Sequence, residues 1–182
     1  DFNLRFSEFI GRKWIYAPKT LDDDIISFIK SSKVVFIKPN SLSSGIGIYK
    51  VSFDSINNLN EFCIKVKRDN CLIEEVIIQH EKMKSLNPSS VNTIRGYTFI
   101  DGFGKPHIIA TTLRVAGKKD GNTDNFHSGG IITSVEVENG ICISQGINKE
   151  FEKFTIHPIT KTIIPGFQVP FWSEVKELLL EA

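Results

Sequence analysis

Apolar residues follow two spacings in the first part of the chain, up to about residue 77. Short β-branched and aromatic runs predict strands, and apolar residues every three or four positions predict helices. Strands are predicted over 13–17, 33–37, 48–53 and 71–78, and helices over 20–30 and from 54 or 55 to 67. Residues 1–77 are therefore expected to form an α/β subdomain.

Strands dominate the pattern from residue 78 onward. Helices are predicted over 80–86 and 172–182, and strands over 93–100, 107–115, 130–138, 141–145 and 154–157. Asn139-Gly140, between two of these strands, is a signal for a two-residue hairpin turn. Residues 78–182 are therefore expected to form an antiparallel-rich subdomain, and the whole chain is expected to be α+β.

Composition narrows the possible partners. With 182 residues, 41% of them hydrophobic and 24% charged, the chain resembles an ordinary soluble protein that buries a sizeable core. A net charge of +1 gives no reason to expect nucleic acid or an anionic membrane as partner. Cys63, Cys71 and Cys142 lack metal-ligand spacing, so we expect buried thiols in a reducing compartment. Without a long apolar run or signal peptide, a cytoplasmic protein with no membrane insertion is predicted.

Both ends of the sequence suggest a piece of a longer protein. The chain starts without an initiator Met, and its last helical pattern carries no signal that would end a helix. We therefore expect the fold to be incomplete at both ends.

A Ser/Gly loop follows a strand that ends in a cation. Lys38 and Pro39 close the strand, and the loop contains Ser43, Ser44, Gly45 and Gly47. Such loops expose backbone N–H groups and hydroxyls that suit phosphate oxygens, and a lysine adds a point charge. The alternative is a plain hairpin turn between two strands.

Two acids, Glu74 and Glu75, interrupt an apolar strand. A buried carboxylate is costly unless it is paired, so the interruption needs a reason. One interpretation is the edge of a nucleotide site. In it, residues Glu74 to Ile77 (including Val76) hold adenine, and Glu81, seven positions after Glu74, holds ribose. The alternative is a pair of solvent-facing acids on an edge strand.

Two arginines and a polar loop form the third group of candidates. Arg95 and Arg114 each lie on or at the end of a predicted strand, where a guanidinium is well placed to neutralise a phosphoryl group in transfer. Asn125 and His127 lie in a loop with two glycines, which allow close backbone approach to a ligand. His157, before a proline at a strand end, is expected to be structural.

These motifs resemble the ATP-grasp superfamily and occur in its order. IKPNSLSSGIGIYKV is similar to the phosphate loop, LIEEVIIQHE to the adenine-binding hinge strand, and NTIRGYTF and TTLRVAGKKDGNTDNFHSGG to the arginine strands and glycine loop. The combination, with a late His157-Pro158, most resembles the sugar-transfer-associated branch, which is linked to cell-surface polysaccharide synthesis. The resemblance covers roughly residues 30 to 182.

The resemblance implies a fold of two α/β subdomains with a nucleotide cleft between them. It also implies the ATP-binding core of a carboxylate–amine ligase that acts through an acyl phosphate on a small, sugar-linked carboxylate or amine substrate. The cofactor-binding residues would be Lys38, Ser43, Ser44, Gly45, Gly47, Glu74, Glu75, Val76, Ile77 and Glu81. The catalytic residues would be Arg95, Arg114, Asn125 and His127.

The resemblance also implies Mg²⁺ together with ATP. Ligases of this superfamily carry their metal ligands late, as an Asp and a Glu-x-Asn, and we expect these outside the present chain, which alone should be almost inert. Two other hypotheses remain open at this point. One is a noncatalytic nucleotide-binding or scaffold domain, and the other is a phosphotransferase acting on a hydroxyl, for which Asp124 is the best-placed base.

Overall fold

Alternating apolar residues in the first half of the chain form a four-stranded antiparallel sheet. The computed structural model describes residues 2–40, 47–118 and 123–182, and its contacts divide into two compact units, up to residue 78 and from residue 79. The first unit holds β1 (Trp14–Tyr16), β2 (Val34–Pro39), β3 (Tyr49–Ser52) and β4 (Cys71–Glu75), in the spatial order β1-β4-β2-β3.

One face of this sheet is covered by helices. Besides the short α1 (Phe2–Arg5), the unit contains α2 (Asp22–Ser32) and α3 (Leu59–Arg68). Both pack against alternate strand residues such as Val35, Ile37 and Ile73, each fully buried. The opposite face carries the residues of the other parity, which include Lys38 and Glu74 as well as the apolar Phe36 and Leu72.

The largest boundary differences from the sequence prediction in this unit are the start of α3 and the end of β4. Helix α3 starts at Leu59, because the Asn58 side chain accepts a hydrogen bond from the Glu61 backbone N–H. The predicted cap at Asp54 or Ser55 is wrong, since 53–55 form a separate 3₁₀ turn. Strand β4 ends at Glu75 rather than at residue 78.

The second unit is built on a five-stranded antiparallel sheet. Its strands are β5 (Thr93–Ile100), β6 (Pro106–Ala116), β7 (Gly130–Val135), β8 (Gly146–Ile147) and β9 (Lys153–Phe154), in that spatial order. The short α4 (Glu81–Lys84) precedes the sheet, and α5 (Trp172–Glu181) follows it. The two antiparallel sheets with their helices confirm the predicted α+β class.

The core of this unit lies on one face of the sheet. Leu113, Val115 and Ile131 point to that face and are at most 2% exposed. Helix α5 packs on the same side, where Leu179 occupies the space a side chain at Gly96 would need, 2.5 Å from the position of its Cβ. The glycine therefore permits the close approach of helix and strand.

The predicted strands beyond β7 are shorter than the apolar pattern suggested. Residues 141–145 form single bridges, Cys142 with Val135 and Ile141 with Gln168, and 154–157 is reduced to β9 and one bridge at Ile156. Within the described segments, none of the helices is both long and apolar enough to cross a membrane.

Candidate functional site

Glu74 lies on the sheet face opposite α2 and α3, in the interior of the sheet. Its direct neighbours across the strands are Trp14 on β1 and Phe36 on β2. Because β4 lies between β1 and β2, the hypothesis of solvent-facing acids on an edge strand is wrong for this residue. The Glu74 side chain is only 3% exposed, so its charge needs partners.

Three side chains supply those partners. Oε2 of Glu74 accepts from Lys38 Nζ at 2.5 Å and lies 2.7 Å from Arg12 Nη2 and 2.9 Å from Arg12 Nε. Oε1 accepts from Asn3 Nδ2 at 3.0 Å. We call these four residues the Glu74 cluster.

The cluster carries an excess of positive charge. Burial alone would raise the pKa of Glu74, but hydrogen bonds from Lys38 and Asn3 and the charges of Lys38 and Arg12 hold it below its ordinary value. One carboxylate thus faces two cations, and the Lys38 and Arg12 side chains remain 32% and 24% exposed. An anion reaching this face would meet one uncompensated positive charge.

Sequence reasoning found half of the Glu74 cluster. Lys38 and Glu74 were predicted for a nucleotide site, whereas Arg12 and Asn3 were missed. For Arg12, the sequence signal is the basic pair at 12–13 just before β1. For Asn3 there is none, because α1 and the segment after it show no periodic pattern.

The other predicted nucleotide-binding residues are distributed as follows. Ser43, Ser44 and Gly45 lie outside the described residues. Gly47 is exposed, with a left-handed φ of 74°. Glu75 points to the same face of the sheet as Ile73, and its Oε2 accepts from the Lys13 backbone N–H at 3.0 Å. Val76 and Ile77 follow the end of β4. Glu81 is the first residue of α4, 84% exposed and bonded to Lys84.

In the second unit, Arg95 and Arg114 lie on the same face of the sheet. Arg114 is directly opposite Thr93, and Arg95 is directly opposite Thr112, so the two arginines are diagonal neighbours. This face is the one opposite the Leu113–Val115 core. We call it the arginine face of the second sheet.

Asp124 holds Arg114 in place. Its Oδ1 accepts from Arg114 Nη2 at 3.1 Å, and its Oδ2 accepts from the Thr93 backbone N–H at 3.1 Å and from the Thr93 hydroxyl. Arg114 and Asp124 side chains are 17% and 9% exposed. The Nε of Arg114 is buried and has no hydrogen-bond partner among the residues that the structure describes. A buried donor without an acceptor is costly, so this atom is suited to a ligand oxygen.

The two glycines of the 124–130 loop shape the loop itself. Gly129 has a left-handed φ of 94°, and a Cβ on Gly130 would lie 2.1 Å from the Asp124 carbonyl oxygen. Their predicted role, close approach of the backbone to a ligand, stays a prediction. They let the chain turn back on Asp124 and so keep the carboxylate next to Arg114.

Asn125 and His127 form the tight turn between Asp124 and β7. The Asn125 side chain accepts from the His127 backbone N–H at 3.2 Å and caps the 3₁₀ turn 126–128. His127 is exposed, and its ring meets Phe126 edge-on. His127 borders a cavity of about 350 Å³. The cavity is lined by polar side chains such as Lys118 and Glu152 and by the apolar Phe154.

His157 is confirmed as structural. It is fully buried, its Nε2 lies 3.0 Å from the Ala116 carbonyl oxygen, and its Nδ1 accepts from the Thr160 backbone N–H at 3.3 Å. Burial lowers the pKa of His157, so the ring is held neutral.

No metal centre is formed by the described parts of the chain, 2–40, 47–118 and 123–182. They contain no group of three His, Cys, Asp or Glu side chains placed to hold an ion. Asp124, the most buried acid of the second unit, is already engaged by Arg114 and Thr93. By themselves, the described residues therefore do not form an all-protein metal site, whereas Mg²⁺ bound together with ATP needs only one or two carboxylates.

Comparison with known proteins identifies one family. The model of the sugar-transfer associated ATP-grasp family matches residues 19–182. Curated proteins give no match, and solved structures give none either. Lys38, Glu74 and both residues of the arginine face lie inside the matched segment, whereas Asn3 and Arg12 precede it.

Proposed function

Because the chain belongs to the sugar-transfer associated ATP-grasp family, we propose that it is the ATP-binding core of a carboxylate–amine ligase. Membership supports nucleotide binding and an ATP-dependent, ligase-like activity in general. The finer proposal is that ATP phosphorylates a carboxylate and that an amine then displaces phosphate from the acyl phosphate. The observation that carries it is Arg114 of the second unit, an arginine whose buried Nε lacks an acceptor among the described residues.

The Glu74 cluster is proposed to bind phosphate oxygens of ATP. The Lys38 ammonium donates one N–H bond to Glu74 and keeps its other N–H donors for a second anion. Arg12 is held by two contacts to the same carboxylate oxygen, which fixes its guanidinium. Glu74 then serves to hold both cations in position, and its own contribution to adenine recognition remains a prediction.

The arginine face is proposed to act on the transferred phosphoryl group. Charge spreads over three phosphoryl oxygens as the bond to ADP breaks, and a fixed guanidinium stabilises that charge without reorganisation. Asp124 fixes Arg114 through Nη2, which leaves Nε and the remaining N–H groups to donate. Arg95, on the neighbouring strand, would supply a second, more exposed cation to the same group.

The proposed chemistry has two balanced steps. A carboxylate oxygen attacks the γ-phosphorus, the bond to the bridging oxygen breaks, and ADP leaves with the electron pair. The amine nitrogen then attacks the acyl carbon, inorganic phosphate leaves, and the nitrogen loses a proton to form the amide. Arginine contacts that strengthen as charge develops would raise the rate of the first step.

The cavity beside His127 is proposed to receive the non-nucleotide substrate. Its volume of about 350 Å³ is within the range of small-molecule sites. An aromatic ring, Phe154, lies among lysine, glutamate and asparagine side chains, a combination that suits a hydroxylated or sugar-linked acid. A role in cell-surface polysaccharide synthesis is part of this proposal.

A phosphotransferase acting on a hydroxyl is less well supported. Such an enzyme needs a carboxylate free to accept the hydroxyl proton. Asp124, the best candidate from the sequence, already accepts hydrogen bonds from Arg114 and from the backbone N–H and the hydroxyl of Thr93. It is suited to positioning an arginine rather than to proton transfer.

Magnesium accompanies ATP in this family in general, and the described residues contain no group of three metal-binding side chains. The proposal for this chain is therefore confined to nucleotide binding and phosphoryl stabilisation by its own side chains.

Calorimetric titration with ATP, ADP and AMP is the first test. The Glu74 cluster binds phosphate oxygens in this proposal, so affinity should fall in the order ATP, ADP, AMP. Release of ADP on addition of candidate acids and amines, measured with added Mg²⁺ on the longest available form of the protein, tests the ligase step. Equal affinity for AMP and ATP would contradict the phosphate-binding role, and ATP binding without any acid-dependent ADP release would favour a noncatalytic domain.

A further inference from the structure

Asn87 lies in a buried hydrogen-bond network that precedes β5. The residue is 1% exposed, and its Nδ2 donates to the Ala116 carbonyl at 2.5 Å and to the Lys118 carbonyl at 3.3 Å. Its Oδ1 accepts from the Ser89 backbone N–H at 2.7 Å and from the Ser89 hydroxyl at 2.6 Å. Both donors and both acceptor positions of this amide are therefore used, so its orientation is fixed.

The chain that Asn87 holds at the end of β6 packs against the loop 124–130. Ala116 is the last residue of β6 and pairs with the last residue of that loop. At the next position, Gly117, a Cβ would lie 2.4 Å from the Gly129 carbonyl oxygen, so the two backbones are in contact. A shift of the chain after β6 would therefore displace the loop and the carboxylate at its start.

Asn87 also fixes the chain that enters β5. Its backbone carbonyl accepts from Gln79 Nε2 at 3.1 Å and from Asn92 Nδ2 at 3.2 Å. The Oε1 of Gln79 in turn accepts from the Asn92 backbone N–H at 2.6 Å. The next residue, Thr93, donates its backbone N–H and its hydroxyl to Asp124. The network therefore sets the position of two donors that hold the Asp124 carboxylate.

We infer that Asn87 is a positioning residue that keeps Asp124 against Arg114. It acts from two sides, since it fixes the backbone that contacts the 124–130 loop and the backbone that leads into Thr93. Asp124 in turn bonds Nη2 of Arg114, so a displaced carboxylate would release the guanidinium. The consequence for phosphoryl transfer rests on the proposed function, whereas the hold on Asp124 does not.

The Thr93 backbone N–H reports this contact directly. Its acceptor is Asp124 Oδ2, at 3.1 Å, and an amide exchanges its hydrogen with solvent faster when its bond opens locally. Leu113, fully buried on β6 between two strands, exchanges through larger openings of the sheet and is the reference. A purely structural role of Asn87 would accelerate both amides together, whereas a displaced Asp124 would accelerate Thr93 selectively.

Hydrogen exchange followed by NMR on Asn87→Ala tests the inference. The ratio of the Thr93 rate to the Leu113 rate should rise by roughly 10-fold, because the acceptor of the Thr93 N–H is no longer held. Thr111→Val is the matched control. Thr111 is 2% exposed and donates to the Val135 carbonyl at 2.8 Å, so this variant loses a buried bond to a carbonyl away from Asn87. Its ratio should stay unchanged.

Two further variants complete the experiment. Asp124→Ala, which removes the acceptor itself, sets the upper limit of the ratio. Asn87→Ala is expected to fold, because Nε2 of His157 also lies 3.0 Å from the Ala116 carbonyl oxygen. Should it not fold, Ser89→Ala decides. Ser89 is exposed and its hydroxyl orients the Asn87 amide, so the ratio should rise by roughly 3-fold.

The effect on turnover is measured as the kcat of acid-dependent ADP release, with saturating ATP and Mg²⁺, on the longest available form of the protein. Asn87→Ala should lower kcat by roughly 10-fold or more, because a misplaced guanidinium stabilises the transferred phosphoryl group less. The ATP dissociation constant should change much less, since the proposed phosphate contacts of the Glu74 cluster belong to the first unit. Thr111→Val should keep the original kcat.

An unchanged ratio of the two exchange rates in Asn87→Ala, or in Ser89→Ala if that variant replaces it, would overturn the inference. A raised ratio with a kcat equal to that of Thr111→Val would show that Asp124 moves without consequence for the reaction, which also overturns the positioning role. If the unmodified protein releases no ADP in response to any acid, the proposed ligase function fails, and the exchange ratio still decides whether Asn87 holds Asp124.

Discussion

Lys38 and Glu74 lie on neighbouring antiparallel strands and form a 2.5 Å ion pair on the face of the first sheet away from its helices. Lys38 is diagonal to Glu74 in this register, because Lys38 is opposite Leu72 and Phe36 is opposite Glu74. The pair places a lysine with spare donor capacity beside a carboxylate that already has a second cation. This arrangement makes the role of Lys38 separable from that of Glu74.

Lys38→Ala should weaken ATP binding while leaving the fold intact. The loss of one charge-assisted contact corresponds to about 1.5–3 kcal/mol of binding free energy. Glu74 keeps Arg12 and Asn3 as partners, so the free energy of unfolding should change much less than after loss of Glu74. Calorimetric titration with ATP measures the effect. Lys30→Ala, an exposed lysine of α2, is the control, and identical ATP affinity in both variants would remove Lys38 from the site.

Glu74→Gln should destabilise the first unit. The substitution leaves Lys38 and Arg12 without their carboxylate, and removing one member of a buried ion pair is strongly unfavourable. Since both cations keep partial access to water, we expect a loss of up to about 3 kcal/mol in urea unfolding. Glu75→Gln, the next residue of β4, is the control and should cost far less.

The same variant has a defined pH signature. The pKa of Glu74 is lowered in the folded state, so its stabilising contribution is present above the unfolded carboxyl pKa of about 4.3 and is lost as the pH falls through the lowered native value. In Glu74→Gln, this part of the acid-induced loss of stability should be absent. An unaltered acid transition would show that the pairing contributes nothing to folding.

Features that depend on local sequence were predicted, whereas features that depend on contacts between distant segments were not. β5 was predicted with its observed bounds, because alternation and β-branched residues are local signals. The interior position of β4 was not predictable, since strand order depends on pairings between distant segments such as β1 with β4. The same limit explains why Arg12 was missed.

The functional motifs were partly predictable for a similar reason. Arg95 and Arg114 were assigned together from two separate strands, and antiparallel register places them on one face. Asp124, which anchors Arg114, was considered only as a catalytic base. A carboxylate in a sequence does not show which partner it will meet, because its contact with Arg114 requires the loop to fold back at Gly129 and Gly130.

Arg114→Lys should reduce turnover far more than ATP affinity. Lysine keeps the charge but loses the planar fork that both contacts Asp124 and presents Nε, so we expect a loss of roughly 100-fold in the rate of acid-dependent ADP release. Arg68→Lys, an exposed arginine of α3 with 71% side-chain exposure, is the control. A turnover rate equal to that of the control would eliminate the role assigned to Arg114.

Gly130→Ala should disturb the 124–130 loop. Its Cβ would lie 2.1 Å from the Asp124 carbonyl oxygen, which is backbone and cannot move aside without shifting the loop. We expect a destabilisation of about 1–3 kcal/mol together with lower ADP release, because Asp124 would no longer be held against Arg114. Gly102→Ala, where nothing lies within 4 Å of the new Cβ, should be close to neutral. Thermal unfolding and turnover of the two variants provide the comparison, and equal behaviour would show that the loop tolerates the added atom.

His157→Gln should change how stability depends on pH. The pKa of His157 is lowered by burial, so the folded protein holds the ring neutral while the unfolded chain binds a proton below about pH 6.5. Its stabilising contribution is therefore complete above that pH and is lost as the pH falls towards the lowered native value. For this single group, the free energy of unfolding should fall by at most about 1.4 kcal/mol per pH unit.

Urea unfolding at several pH values between neutral and mildly acidic measures this slope. The variant should be less stable at every pH, since the bonds to the Ala116 carbonyl and from the Thr160 N–H are lost or weakened. Its slope in the acidic range should nevertheless be shallower than that of the unmodified chain. His127→Gln, which changes an exposed histidine, controls for loss of an imidazole. If the slopes of the unmodified chain and of His157→Gln coincide, the buried ring does not contribute to the acid sensitivity of the fold.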